Sequence, residues 1–249
     1  MEEMMDGLDG ILAGLVPDAT TQAAGRPVLS LDGIDPSETA DGCAAWRHGP
    51  CRACGGSEIV FPGGEPCPCV AATRIARRLT LARIPWAYRH AVPADLSERG
   101  RGWVARYERG GRGLRFGGET GRGKTHRVIA TVRGLIERGV SARYVSWAVW
   151  LSDMRQAMGR EADMHTLSAR ITDPDVVAID DIGRERGTEW EREQLDTLLE
   201  RRVLRGATVI VASNLTDAQV EERIGDRLWS RLRHGTDPVV VAGKDWRAR

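Results

Sequence analysis

The chain carries 36 lysines and arginines, yet lysine occurs only at Lys124 and Lys244. Lys124 lies in GGETGRGKTH, residues 117–126, where Gly118, Gly123, Lys124 and Thr125 fit the spacing G-x-x-x-x-G-K-[ST]. That spacing has a chemical use. Glycines allow a loop to turn successive backbone N–H groups toward phosphate oxygens, and the helix that follows adds its positive end. A lysine there places a compact ammonium between the outer phosphates, a slot that the planar fork of arginine does not fill. Thr125 offers a hydroxyl to Mg²⁺. The expected nucleotide-binding residues are therefore Gly118, Glu119, Thr120, Gly121, Arg122, Gly123, Lys124, Thr125 and His126.

Such a loop needs acids opposite it. DVVAIDD ends an apolar run in Asp180 and Asp181. Asp180 is expected to hold Mg²⁺ through water, and Asp181 to orient or activate an attacking water. ATVIVASN ends in Asn214, whose amide is placed to fix that water beside the terminal phosphate, or simply to form a turn. Arg223, Arg227 and Arg231 recur at helical spacing beside the apolar stripe Ile224, Leu228 and Leu232. An arginine row at the edge of such a stripe reaches a neighbouring subunit's nucleotide or lies on a solvated face. The candidate catalytic set is Lys124, Asp181, Asn214, Arg227 and Arg231.

Four of the five cysteines cluster as Cys51-x2-Cys54 and Cys67-x-Cys69. In a reducing compartment this spacing reads as a tetrahedral Zn²⁺ site, the alternative being four reduced thiols.

The elements that must position these groups alternate. LRFGG, ARYVSW, DVVAIDD, ATVIVASN and VVVAG read as strands, separated by helices from Lys124 to about Arg138, over AVWLSDMRQAM, from Thr188 to Gly206 and over 217–233. Thr188 and Glu191 predict a capping box, and Leu195, Leu198, Leu199 and Val203 a buried stripe. The expected fold class is α/β: a three-layer ATPase domain with a parallel sheet over 71–249. A zinc module over 43–70 and an acidic N-terminal helix and linker over 1–42 precede it. In that helix Met4, Leu8, Ile11, Leu12 and Leu15 share one face, which docks a partner or folds back on the body.

No apolar run approaches the roughly 18 residues of a membrane span. The acidic N-terminus argues against an export signal, so the expected compartment is cytoplasmic. Charge is unevenly spread. Residues 1–45 carry nine acids against one arginine, whereas residues 70–115 carry eleven arginines against three acids. The basic collar suits a polyanionic partner or a solvated arginine-rich surface.

Over residues 51–249 the order CRACGG…CPC, RIARRLTLARIPWAYR, GGETGRGKTH, VVAIDDIG, LLERRVLRGATVIVASNL and ERIGDRLWSRL resembles the DnaC/IstB-like group of AAA+ ATPases. The resemblance implies ATP bound at GRGKT, Mg²⁺ and hydrolysis served by the Asp pair, and a sensor role for Asn214. It implies that Arg227 and Arg231 act across subunits of an ATP-dependent oligomer. It further implies a helicase loader acting with a replicative DNA helicase and single-stranded DNA, the DNA contacting helices around Trp147 to Arg170. A transposition helper or a nucleotide-gated DNA-binding adaptor are the other functions the group admits. The sequence departs from the group at Asp181, where Glu is commoner.

Overall fold

The strand VVAID, Val176–Asp180, is buried at every position, so both faces of its sheet have to be covered. The computed structural model shows how, over the residues it describes: 59–60, 65–66, 68–184 and 187–242. Five strands form one parallel sheet: β3 (Gly113–Gly117), β4 (Ala142–Ser146), β5 (Val176–Asp180), β6 (Thr208–Ala212) and β7 (Thr236–Val240), in the order β4-β5-β6-β3-β7. Ahead of them, β1 (Ile59–Val60) and β2 (Glu65–Pro66) pair antiparallel.

Alternation along each strand splits the core in two. Val176 and Ala178 join Leu114, Phe116, Ile210 and Ala212 against α3 (Lys124–Glu137), which buries Val128, Ile129, Val132, Leu135 and Ile136. The same face receives Leu79 of α1 (Pro68–Leu81) and Val104 of α2 (Glu98–Arg106). Val177, Ile179 and Val211 face the other way. They pack on α4 (Trp147–Gln156), α5 (Glu161–Thr172), α6 (Glu189–Leu204), α7 (Asp217–Ile224) and α8 (Asp226–Gly235). Each fully buried aliphatic side chain contributes about 1.5–3 kcal/mol. The three-layer α/β expectation therefore holds for the described core.

The capping box at α6 is as expected: Thr188 Oγ1 accepts from Glu191 N, and Glu191 Oε2 accepts from Thr188 N at 2.9 Å. Three local expectations need correction. Val203 is 73% exposed, so the buried apolar stripe of α6 stops at Leu199 and the next inward position is Arg202. The helix expected over 217–233 is two helices, because Gly225 takes φ +90° and leaves the helical path. Arg223 is consequently not in line with Arg227 and Arg231; its carbonyl accepts from Arg192 Nε instead. Finally, the last strand starts at Thr236, three residues before VVVAG.

The acidic helix over 1–42 lies outside the described residues, as do Cys51, Cys54 and Cys67. Cys69 falls in the first turn of α1, so that helix begins within the segment assigned to the zinc module. No described helix is long and apolar enough to cross a membrane.

Candidate nucleotide-binding site

The loop Gly118–Gly123 joins the end of β3 to the start of α3, at the carboxyl edge of the sheet. Gly118 explains the first glycine of the motif. Its φ is +144°, and a Cβ there would sit 2.6 Å from the Val241 carbonyl oxygen. A larger residue would push the loop off the strand beside it. Lys124 opens α3 and is 5% exposed. Its Nζ donates to the Gly118 and Glu119 carbonyl oxygens, both at 2.7 Å, so the ammonium is held inside the curl of the loop. Arg122 folds back on Glu119, and Arg127 Nη1 donates to the Arg122 carbonyl at 2.8 Å. Thr120 and Gly121 complete the turn.

The acids stand opposite. Thr125 Oγ1 donates to Asp180 Oδ2 at 2.7 Å, across 55 residues of sequence. The Tyr144 hydroxyl donates to the same oxygen at 2.9 Å, and Asp181 N donates to Asp180 Oδ1 at 3.0 Å. Burial pushes the Asp180 carboxyl above the usual range, Thr125 opposes that shift by hydrogen bonding, and the charge of Asp181 adds to it. Burial and the Asp180 charge likewise push the Tyr144 phenol far up, so Tyr144 acts here as a fixed donor. Tyr144 was not among the sequence candidates. Its only signal was a tyrosine on the strand that pairs with the acid-bearing one.

Asp181 takes a left-handed backbone, φ +62°, just beyond the end of β5. Asp is among the few residues that adopt that region at modest cost. The turn aims Asp181 at β6: Asn214 Nδ2 donates to Asp181 Oδ1 at 2.6 Å, and Arg184 Nη1 lies 3.0 Å from Oδ2. Asp180, Asp181, Asn214 and Thr125 are thus brought together with Lys124 around one loop. His126 is the exception. It is buried, and its Nε2 lies 2.7 Å from Asp95 Oδ2, so its side chain is committed to the segment before α2. Only its backbone N–H is available to a phosphate in this arrangement. Arg227 and Arg231 lie on α8, where both pair with Asp196 of α6.

Chemically, the cluster offers a lysine, backbone donors and two carboxylates with a hydroxyl. The hard oxygens of Thr125 and Asp180 suit Mg²⁺ rather than a soft metal. Among the described residues no group of three His, Cys, Asp or Glu is arranged to hold a metal without further ligands.

A phosphate-binding loop at the end of β3, an acid pair ending β5 and the order β4-β5-β6-β3-β7 define an AAA+-like nucleotide-binding domain. The chain belongs to the family of IstB-like ATP binding proteins, whose model matches residues 107–249, more than half of its length. It is similar to the replicative helicase loader DnaC of Escherichia coli (strain K12), 24% identical over 131 residues, which cover 52% of this chain and 54% of that protein. It is also similar to the phage-like element PBSX protein XkdC of Bacillus subtilis (strain 168), 26% identical over 189 residues, covering 66% of this chain and 70% of XkdC. The chain spans about half the length of DnaC. Among solved structures, the DnaC helicase loader superposes with a TM-score of 0.58 at 21% identity, covering 63% of this chain and 99% of that one. DnaI superposes with a TM-score of 0.57 at 21% identity, covering 68% and 98%. At these identities the structural likeness is one of fold.

Proposed function

We propose that this chain is an ATP-dependent helicase loader that binds a replicative DNA helicase and single-stranded DNA. The observation that supports it most is the convergence of Lys124, Thr125, Asp180, Asp181 and Asn214 on one loop, in a chain similar to a replicative helicase loader. In this reading the loop N–H groups and Lys124 bind the phosphates of ATP. Thr125 and Asp180 hold Mg²⁺, which when bound neutralises phosphate charge. Asp181 and Asn214 orient the attacking water. Arg227 and Arg231 complete the site of a neighbouring copy in an ATP-dependent oligomer. Single-stranded DNA contacts α4 and α5.

The reading is tested by co-isolation from the native host. With ATP, the tagged chain should recover the host's replicative helicase, and Lys124→Ala should not. Recovery of a transposase in its place would favour a transposition helper.

A second reading, a nucleotide-gated adaptor that hardly hydrolyses ATP, draws on Asp181. Its carboxylate is shorter than Glu, and Arg184 and Asn214 already engage it. Substituting Asp181→Asn separates the readings. As a loader ATPase the variant should keep its ATP affinity and lose turnover, measured as phosphate release. Turnover equal to that of the unaltered chain would show that Asp181 does not act on the water.

We also assign one Zn²⁺ to Cys51, Cys54, Cys67 and Cys69. Protein purified under reducing conditions should contain one zinc per chain, and Cys51→Ser should lose it while still binding ATP. Metal analysis returning no zinc would contradict the site.

A further inference from the structure

Arg227 and Arg231 leave α8 one turn apart and meet a single carboxylate, Asp196, on α6 of the same chain. Arg231 Nη1 lies 2.5 Å from Asp196 Oδ1, and Arg227 Nη2 lies 3.4 Å from Oδ2. The neighbouring Leu195, Leu228 and Leu232 belong to one buried cluster, so the backbones carrying all three charged groups are fixed by packing. The two contacts are unequal. The Arg231 side chain is 35% exposed, that of Arg227 73%, and that of Asp196 28%. Arg231 is held closely at the surface, whereas Arg227 keeps a long and looser contact.

We propose that Asp196 is a positioning residue for the site of the neighbouring copy: it fixes the Arg231 guanidinium so that its remaining N–H groups can serve that copy's nucleotide. The inference rests on the trans role of the arginines proposed above. Two physical effects support it. A free arginine side chain carries about 2 kcal/mol of rotamer entropy, which has to be lost when it engages a phosphate. Pairing with Asp196 removes much of that freedom before assembly. A guanidinium has five N–H donors, and one carboxylate oxygen uses only part of them. Asp196 also offsets the repulsion between two cations one turn apart, which would otherwise spread them.

The test places Asp196→Asn, which keeps the side chain's shape and removes its charge, on one partner of a mixed assembly. One protein carries Lys124→Ala and donates arginines; the other carries Arg227→Ala with Arg231→Ala and donates the intact loop. Asp196→Asn added to the arginine donor should cut the recovered ATP turnover by up to about a hundredfold, the scale of effect of a group misplaced by about 1 Å. Added to the loop donor it should leave the rate unchanged. In the otherwise unaltered chain it should lower turnover with ATP affinity, read by calorimetry, intact. Equal loss from either placement would mean that Asp196 matters only to the fold of its helix pair and would overturn the proposal. Full turnover of Asp196→Asn beside an impaired Arg231→Ala would overturn it too, leaving the trans reading standing. Full turnover of an assembled chain carrying both Arg227→Ala and Arg231→Ala would remove the trans reading, and the proposal with it.

Discussion

Replacing Lys124 by alanine should weaken ATP binding about tenfold to a hundredfold or more. The ammonium is buried at the start of α3 and is already held by two loop carbonyls. When phosphate arrives, a lysine so placed needs little reorganisation. A charge-assisted hydrogen bond from a buried group contributes about 1.5–3 kcal/mol, which is the stated range in affinity. The substitution also leaves the Gly118 and Glu119 carbonyls without that donor, so the empty loop should loosen as well. Lys124→Arg should not restore binding, because the planar fork does not fit a slot closed by backbone. Calorimetry on folded variants measures this directly. Wild-type affinity in Lys124→Ala would contradict the assignment of the loop.

The arginines of α8 should produce the largest change in rate. Replacing both Arg227 and Arg231 by alanine should leave ATP affinity nearly intact and lower turnover by up to about 10³-fold, the range in which a transition-state arginine acts. Neither residue belongs to the loop that holds the phosphates, and both lie on the surface of the helix before β7. Among the described residues both pair with Asp196, which is on α6 and not on the nucleotide loop. A role in catalysis therefore calls for a second copy. Mixing tests that requirement: the arginine-free chain has an intact loop, and the Lys124→Ala chain has intact arginines. Together they should recover part of the turnover that each lacks. No recovery at any ratio, with co-assembly demonstrated by light scattering, would confine the arginines to their own subunit.

The phosphate loop, the acid pair and Asn214 were legible because each follows a short apolar strand, and strand ends in such a sheet fall along one edge. The capping box of α6 was legible because its two residues lie three apart. What escaped was either local and steric or distant in sequence. The break at Gly225 was hidden because Val220 and Ile224 on one side, and Leu228 and Leu232 on the other, keep a helical period across it; all four are buried, on two helices. Val203 continues the spacing of Leu195 and Leu199, yet in the last turn of α6 the inward position is taken by Arg202, whose guanidinium donates to the Asp175 and Thr208 carbonyls, and Val203 is left at the surface. Tyr144 lies 36 residues from Asp180, and Arg231 lies 35 from Asp196. Nothing in the spacing of one chain segment reports a contact made across the sheet or between helices. For His126 the motif fixes the backbone in the first turn of α3, while Asp95 takes its ring, a contact made 31 residues away in sequence.

The proposal that nucleotide binding by this chain delivers a helicase onto single-stranded DNA can be tested in one experiment. The most direct measurement is retention of the host's replicative helicase on closed circular single-stranded DNA, assayed with and without this chain and ATP. Retention is expected with the chain and ATP together, and none when Lys124→Ala replaces it. Helicase retained equally well without the chain, or never retained despite a demonstrated complex, would contradict the claim.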